Sequence, residues 1–77
     1  MDIDKHKEFL NEQAIRFDGC DMAIIGYDHN GFIVYCYNRL LALFMMQGMG
    51  REDAIEWIDY NVLPTNAGQN FTLLYDH

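Results

Sequence analysis

Apolar positions along this chain change their period several times, and each change marks an element. Phe9, Leu10, Ala14 and Phe17 fall on one stripe at helical spacing, which predicts a first helix over 4–17 with Asp4 as its N-cap. Asp18 and Gly19 end it, Gly19 suiting a left-handed cap. Two β-rich runs follow, 22–27 and 32–37, on either side of an Asp-His-Asn-Gly turn at 28–31. Residues 39–47 are apolar at Leu40, Leu41, Leu43, Phe44 and Met45, nearly all round, which predicts a buried helix capped by Asn38. Gly48 and Gly50 stop it. A third helix starts at Arg51, with Glu52 and Asp53 where negative charge suits the helix dipole, and with Ala54, Ile55, Ile58 and Val62 at helical spacing. Pro64 closes that helix, 65–69 is loop, and 71–75 reads as a short third strand. The predicted class is α+β, a single small domain over 1–77 in αββααβ order, with an antiparallel β-hairpin and a possible third strand packed on helices.

The hairpin admits two registers. A two-residue Asn30-Gly31 loop pairs Tyr27 with Val34 and Ile25 with Cys36. A type I turn over 28–31, with Gly31 left-handed in a bulge, pairs Tyr27 with Ile33 and Ile25 with Tyr35. The bulged register sorts the side chains better. It puts Met22, Ile24, Val34 and Cys36 on an aliphatic face, and Ala23, Ile25, Tyr27, Ile33, Tyr35 and Tyr37 on an aromatic one. Register follows such segregation, because a slip moves a whole set of side chains to the wrong side. The aliphatic face is then expected against the two central helices. The tyrosine face needs its own cover: the N-terminal helix, a second copy of the chain, or a foreign partner.

Composition narrows the range of functions. Seventy-seven residues, 51% of them hydrophobic, suffice for one core near the lower size limit and exclude a disordered class. The longest apolar run, 40–46, is far short of a bilayer span, and the charged first ten residues do not form a signal peptide, so a cytoplasmic protein with no membrane role is expected. Twelve acids against five bases leave a net charge of −7, which repels phosphates and excludes direct nucleic-acid binding as the expected role. Cys20 and Cys36 lack a metal-type CxxC spacing and read as reduced thiols.

Candidate chemistry is thin. Asp28 and His29 with the distant His77 form an imaginable metal set, but turn chemistry accounts for Asp28 and Asn30. An EF-hand loop fails because Gly26, not an acid, stands five residues before Gly31. A Cys–His nucleophile pair and a phosphate-cradling glycine loop are likewise not supported. No catalytic residue, cofactor or metal is expected, and the chain is not read as an enzyme. The residues that point outward are interface types. Tyr27, Ile33, Tyr35 and Tyr37 lie on the aromatic face, Glu52 and Glu56 on an acidic helix face shared with Asp53 and Asp59, and Trp57 stands beside the Ile55, Ile58, Val62 stripe.

Residues 23–64 carry a pattern with a known counterpart. Ala23, Ile24, Ile25 and Gly26, then Asp28 and Gly31, Val34, Tyr35 and Tyr37, Gly48 and Met49, and the run Glu56, Trp57, Ile58, Asp59, Tyr60, Asn61 resemble a group of small uncharacterised proteins common in bacteriophage genomes. Phe32 stands where that group often has a basic residue, and Gly50 where it usually has Ser or Thr. The resemblance implies a phage origin and an accessory role in the host bacterial cytoplasm; it brings no activity and no functional residue with it. The expected work is protein–protein binding, to itself as a homodimer or to a host or phage protein, with inhibition of a host factor as its sharpest form. The alternative is a small-molecule or nucleotide site formed at a homo-oligomer interface.

Overall fold

The computed structural model describes residues 2–62 and 70–75. Pro64 and the expected loop over 65–69 lie outside them. The fold is α+β: two antiparallel strands, β1 (Ile24–Tyr27) and β2 (Ile33–Cys36), two helices, α1 (Tyr37–Met46) and α2 (Arg51–Trp57), and a third strand β3 (Phe71–Leu74). The sheet order is β1-β2-β3, and β3 runs parallel to β2, so the sheet is mixed. A parallel return needs a crossover, and the path through α1 and α2 supplies it.

The turn over 28–31 forms as the bulged register requires. The Gly31 amide donates to the Asp28 carbonyl at 3.0 Å, Gly31 takes φ +83°, and the Asp28 carboxylate accepts the amides of Asn30 at 2.9 Å and Phe32 at 3.0 Å. Tyr27 pairs with Ile33. Gly26 opposes Val34, as that register also requires, and beyond it the structure departs from expectation. A second irregularity, between Ile24 and Gly26, sets Ile24 rather than Ile25 opposite Tyr35. One extra residue in a strand inverts the face of what precedes it. Ile24 therefore joins the aromatic side, and Ile25 is left exposed.

The tyrosine-bearing face of the sheet is the core face. Ile24, Ile33, Tyr35 and Phe71 are buried and continuous with Leu40, Phe44, Ala54, Ile58 and Val62. The tyrosine side of the sheet, expected to need a separate cover, faces the main core. On the opposite side Val34 is half-buried and Leu74 exposed.

The predicted first helix is replaced by a 3-10 helix, Ile3–Phe9, capped by Asp2 instead of Asp4, followed by an irregular strap over 10–17. His6 already leaves helical geometry at φ −120°. Two tertiary bonds and one local side-chain bond explain the stop. The Asn11 amide donates to the Gly31 carbonyl at 2.9 Å, the Asn11 side chain accepts the Gln13 amide at 2.8 Å, and the Ile15 amide donates to Asn70 at 3.1 Å. Each uses a group that a helix would have used internally. The strap packs half-buried Leu10, Ala14, Ile15 and Phe17 onto the core. Gly19 has the expected positive φ, at +75°, but in a turn after the strap.

Residues 21–23 form a short 3-10 turn before β1, where the sequence predicted strand. Helix α1 begins at Tyr37 with Cys36 at its cap position, two residues before the expected Asn38 cap. It is not buried all round. Leu40, Leu41, Leu43 and Phe44 face inward, while Ala42, Met45 and Met46 are exposed. Gly48, at φ +102°, closes it as the expected helix–helix turn, with the Met49 amide donating to the Phe44 carbonyl at 3.2 Å. Helix α2 continues into a π turn over Ile58–Val62 that keeps Ile58 and Val62 buried.

Candidate partner-binding surface

Two of the residues expected to meet a partner lie in the core: Ile33 and Tyr35 are 1% and 0% exposed. The Tyr35 hydroxyl donates to the Ile15 carbonyl at 3.2 Å and accepts the Phe17 amide at 2.9 Å. Burial pushes this phenol up to about 12, against the lowering effect of the Phe17 hydrogen bond. Its ring meets Phe17 and Phe71 at centroid distances of 5.5 and 5.9 Å. Neither Ile33 nor Tyr35 can touch a partner in this fold; of the three covers the sequence allowed, it is the N-terminal segment that lies over Tyr35, as a strap and not as a helix.

The other expected interface residues are scattered. Tyr27 is half-buried and stacks on Phe9 at 6.1 Å, with its hydroxyl 3.4 Å from His6 Nδ1. Tyr37 is half-buried against Tyr75, ring to ring at 4.8 Å, and burial, helped by Asp59, raises its phenol above the ordinary value. Trp57 lies half-buried over Phe44 at 4.6 Å, at the edge of the helical stripe. Glu52 and Glu56 are exposed on α2 beside Asp53 and Asp59.

What the sequence reading missed lies on α1. A groove of about 300 Å³ is lined by Met22, Arg39, Ala42, Leu43 and Met46. Four of these occupy positions i, i+3, i+4 and i+7 of one helix and so form one row along its surface. Met22 stands on the 3-10 turn before β1 and forms the other wall. Met22 and Met46 are 66% and 76% exposed, and Ala42, the smallest side chain of the lining, is exposed as well. The signal was present in the sequence: α1 has more apolar positions than one buried face can use, so a surplus had to emerge somewhere.

Arg39 gives the groove a charged end. It stands in the first turn of α1, where the helix dipole is already positive, and that turn has no acidic residue and no side-chain cap. Among the described residues no carboxylate pairs with it. Arg16 is different, donating to Asp4 at 2.8 Å and to Asp21 at 2.6 Å. Those hydrogen bonds hold both carboxyls below their ordinary range.

Nucleophile and metal chemistry find little purchase. Cys20 and Cys36 are buried free thiols, and burial, reinforced by Asp21 and Asp18, pushes the Cys20 thiol up. Among the described residues no group of three or more His, Cys, Asp or Glu side chains could hold a metal ion, and His77 lies outside them. Among the described residues, too, no helix is long and apolar enough to cross a membrane. Comparison with protein-family models, curated proteins and solved structures returns no match for this chain.

Proposed function

We propose that this chain is a non-enzymatic protein-binding domain, a small phage accessory factor that acts on a host or phage protein through the exposed side of α1. The observation that carries this reading is the groove between Met22 and Met46. Exposed methionines rimming an apolar concavity are costly to leave in water, and their flexible thioethers adapt to a partner's side chains. Self-association through the tyrosine face loses its support, because Ile33 and Tyr35 are spent inside the monomer. The net charge of −7, with Glu52, Asp53, Glu56 and Asp59 exposed near one another along the chain, favours partners that are basic around the contact.

The test is affinity capture from bacterial lysate with the parent chain and with Ala42→Glu, which places a charge in the groove lining at an exposed helical position. A protein held by the parent and lost with a still-folded Ala42→Glu is the expected result. Equal recovery by both, or none, removes the reading. A panel of metabolites in thermal-shift assays provides the contrast: clear stabilisation by a small molecule would favour a ligand site instead.

A further inference from the structure

The groove has a shape and a charge pattern, and together they describe its occupant. We infer that it receives one amphipathic α-helix, which lays an apolar ridge along the Ala42, Leu43 and Met46 row, sets a single carboxylate against Arg39, and is otherwise neutral or basic. This deepens the proposed protein-binding reading and rests on it.

A helix fits for a backbone reason. The row lies on α1, whose amides beyond the first turn are bonded within the helix, so the wall offers no free ladder of donors and acceptors to an extended strand. An incoming helix brings its backbone bonds already made and needs only an apolar surface. Positions 39, 42, 43 and 46 form the ridge-and-groove spacing that a second helix packs against, and Ala42 is small enough to let the two axes approach. Met22 on the facing wall and Met46 in the row itself then mould their unbranched side chains to the ridge.

The carboxylate follows from Arg39. It sits at the positive end of α1, in the first turn, with no acidic neighbour in that turn and no ion pair among the described residues. A partner acid there answers both the guanidinium and the helix dipole. Elsewhere the field of a chain of net charge −7 opposes further acids, which is why the remaining polar positions of the partner are neutral or basic.

A second copy of the chain fits less well. Helix α1 contains no acid between Tyr37 and Met46, so pairing two such helices would leave each Arg39 without a carboxylate. Helix α2 has acids, but its apolar side is occupied: Ala54 is buried, and Trp57 lies on Phe44. Its outward residues Glu52, Asp53 and Glu56 offer no apolar ridge.

The probe is a stapled, fluorescently labelled helix of about 16 residues, long enough to cover the row and pre-organised so that folding does not mask binding. It carries leucines at i, i+3 and i+7, one glutamate a turn beyond the ridge, and lysines on the far face. Anisotropy should report saturable binding to the parent chain. Glu→Gln in the probe should weaken binding about 2- to 5-fold. Arg39→Glu in the protein should weaken it about tenfold, with recovery when the probe glutamate becomes lysine. Serines in place of the leucines should abolish it.

Absence of saturable binding, or affinity that does not respond to Arg39→Glu, overturns the inference. If lysate capture still depends on Ala42 in that case, the protein-binding reading stands and only the partner's chemistry is wrong. If both fail, the reading falls with it. Light scattering provides the remaining arm: a parent dimer that Ala42→Glu converts to a folded monomer would put a second copy in the groove and overturn the foreign helix.

Discussion

The buried hydroxyl of Tyr35 accepts the backbone amide of Phe17 at 2.9 Å, tying the middle strand to the strap that covers it across 18 residues of chain. The same oxygen donates to the Ile15 carbonyl. One phenol thus satisfies two backbone groups of a segment that has no regular structure.

Tyr35→Phe keeps the ring and removes only those bonds, so it should destabilise the fold by about 1–3 kcal/mol, the cost of two buried groups left without a partner. Urea denaturation measures this. The same contact predicts an alkaline transition. The Tyr35 phenol is raised to about 12 in the folded chain against 10 when free, so its contribution is complete below pH 10 and is lost as pH rises through about 12. The stability difference between parent and Tyr35→Phe should be flat to pH 10 and then shrink. A difference that grows above pH 10 would contradict the assignment.

Gly31 has no room for a side chain. A Cβ there would lie 2.5 Å from the Asn11 nitrogen and 2.7 Å from the Phe9 carbonyl oxygen, at a φ of +83°. Gly31→Ala should therefore cost about 3 kcal/mol or more, since strain and a forced shift of the strap add. Gly19, at φ +75° with nothing within 4 Å of a built Cβ, is the control: Gly19→Ala should cost only about 1 kcal/mol. Equal losses in thermal melts would mean that the strap is not held against the turn.

Arg16 joins Asp4 on the N-terminal 3-10 helix to Asp21 on the turn before β1. Its hydrogen bonds lower both carboxyls, so the stability they contribute is present above the ordinary carboxylate value and lost as pH falls below about 4. Arg16→Gln should lower the melting temperature modestly at pH 7 and remove that component of the acid sensitivity. High salt should narrow the gap between parent and variant at pH 7, because the groups face solvent.

Cys20 and Cys36 should resist thiol reagents in the native chain. Both are buried, and the Cys20 thiol is held in its protonated form by burial and by Asp21 and Asp18. Ellman's reagent should find neither thiol before unfolding and both after it, without reductant. Labelling at native rates comparable to free cysteine would show that the strap opens readily.

Local chemistry was legible in the sequence. The 28–31 turn, the glycine stop after α1, the apolar stripe of α2 and the third strand are each dictated by residues within a few positions of one another, and the structure has them all. Two features were not legible, because their causes are distant in the chain. The stripe of Phe9, Leu10, Ala14 and Phe17 satisfies helical spacing, yet its backbone bonds go to Gly31, Asn70 and Tyr35, and only the folded chain brings those groups near. The irregularity at Ile25 is likewise a matter of fit. Moving Ile24 opposite Tyr35 fills the core, and alternation alone cannot foretell an inserted residue. The burial of Ile33 and Tyr35, expected at a partner surface, follows from which face of the sheet the strap and helices close on, and the exposed row on α1 from the apolar positions that closure leaves out. Hydrophobic patterning counts how many apolar groups must be covered, but which of them stay uncovered is decided by how the layers close.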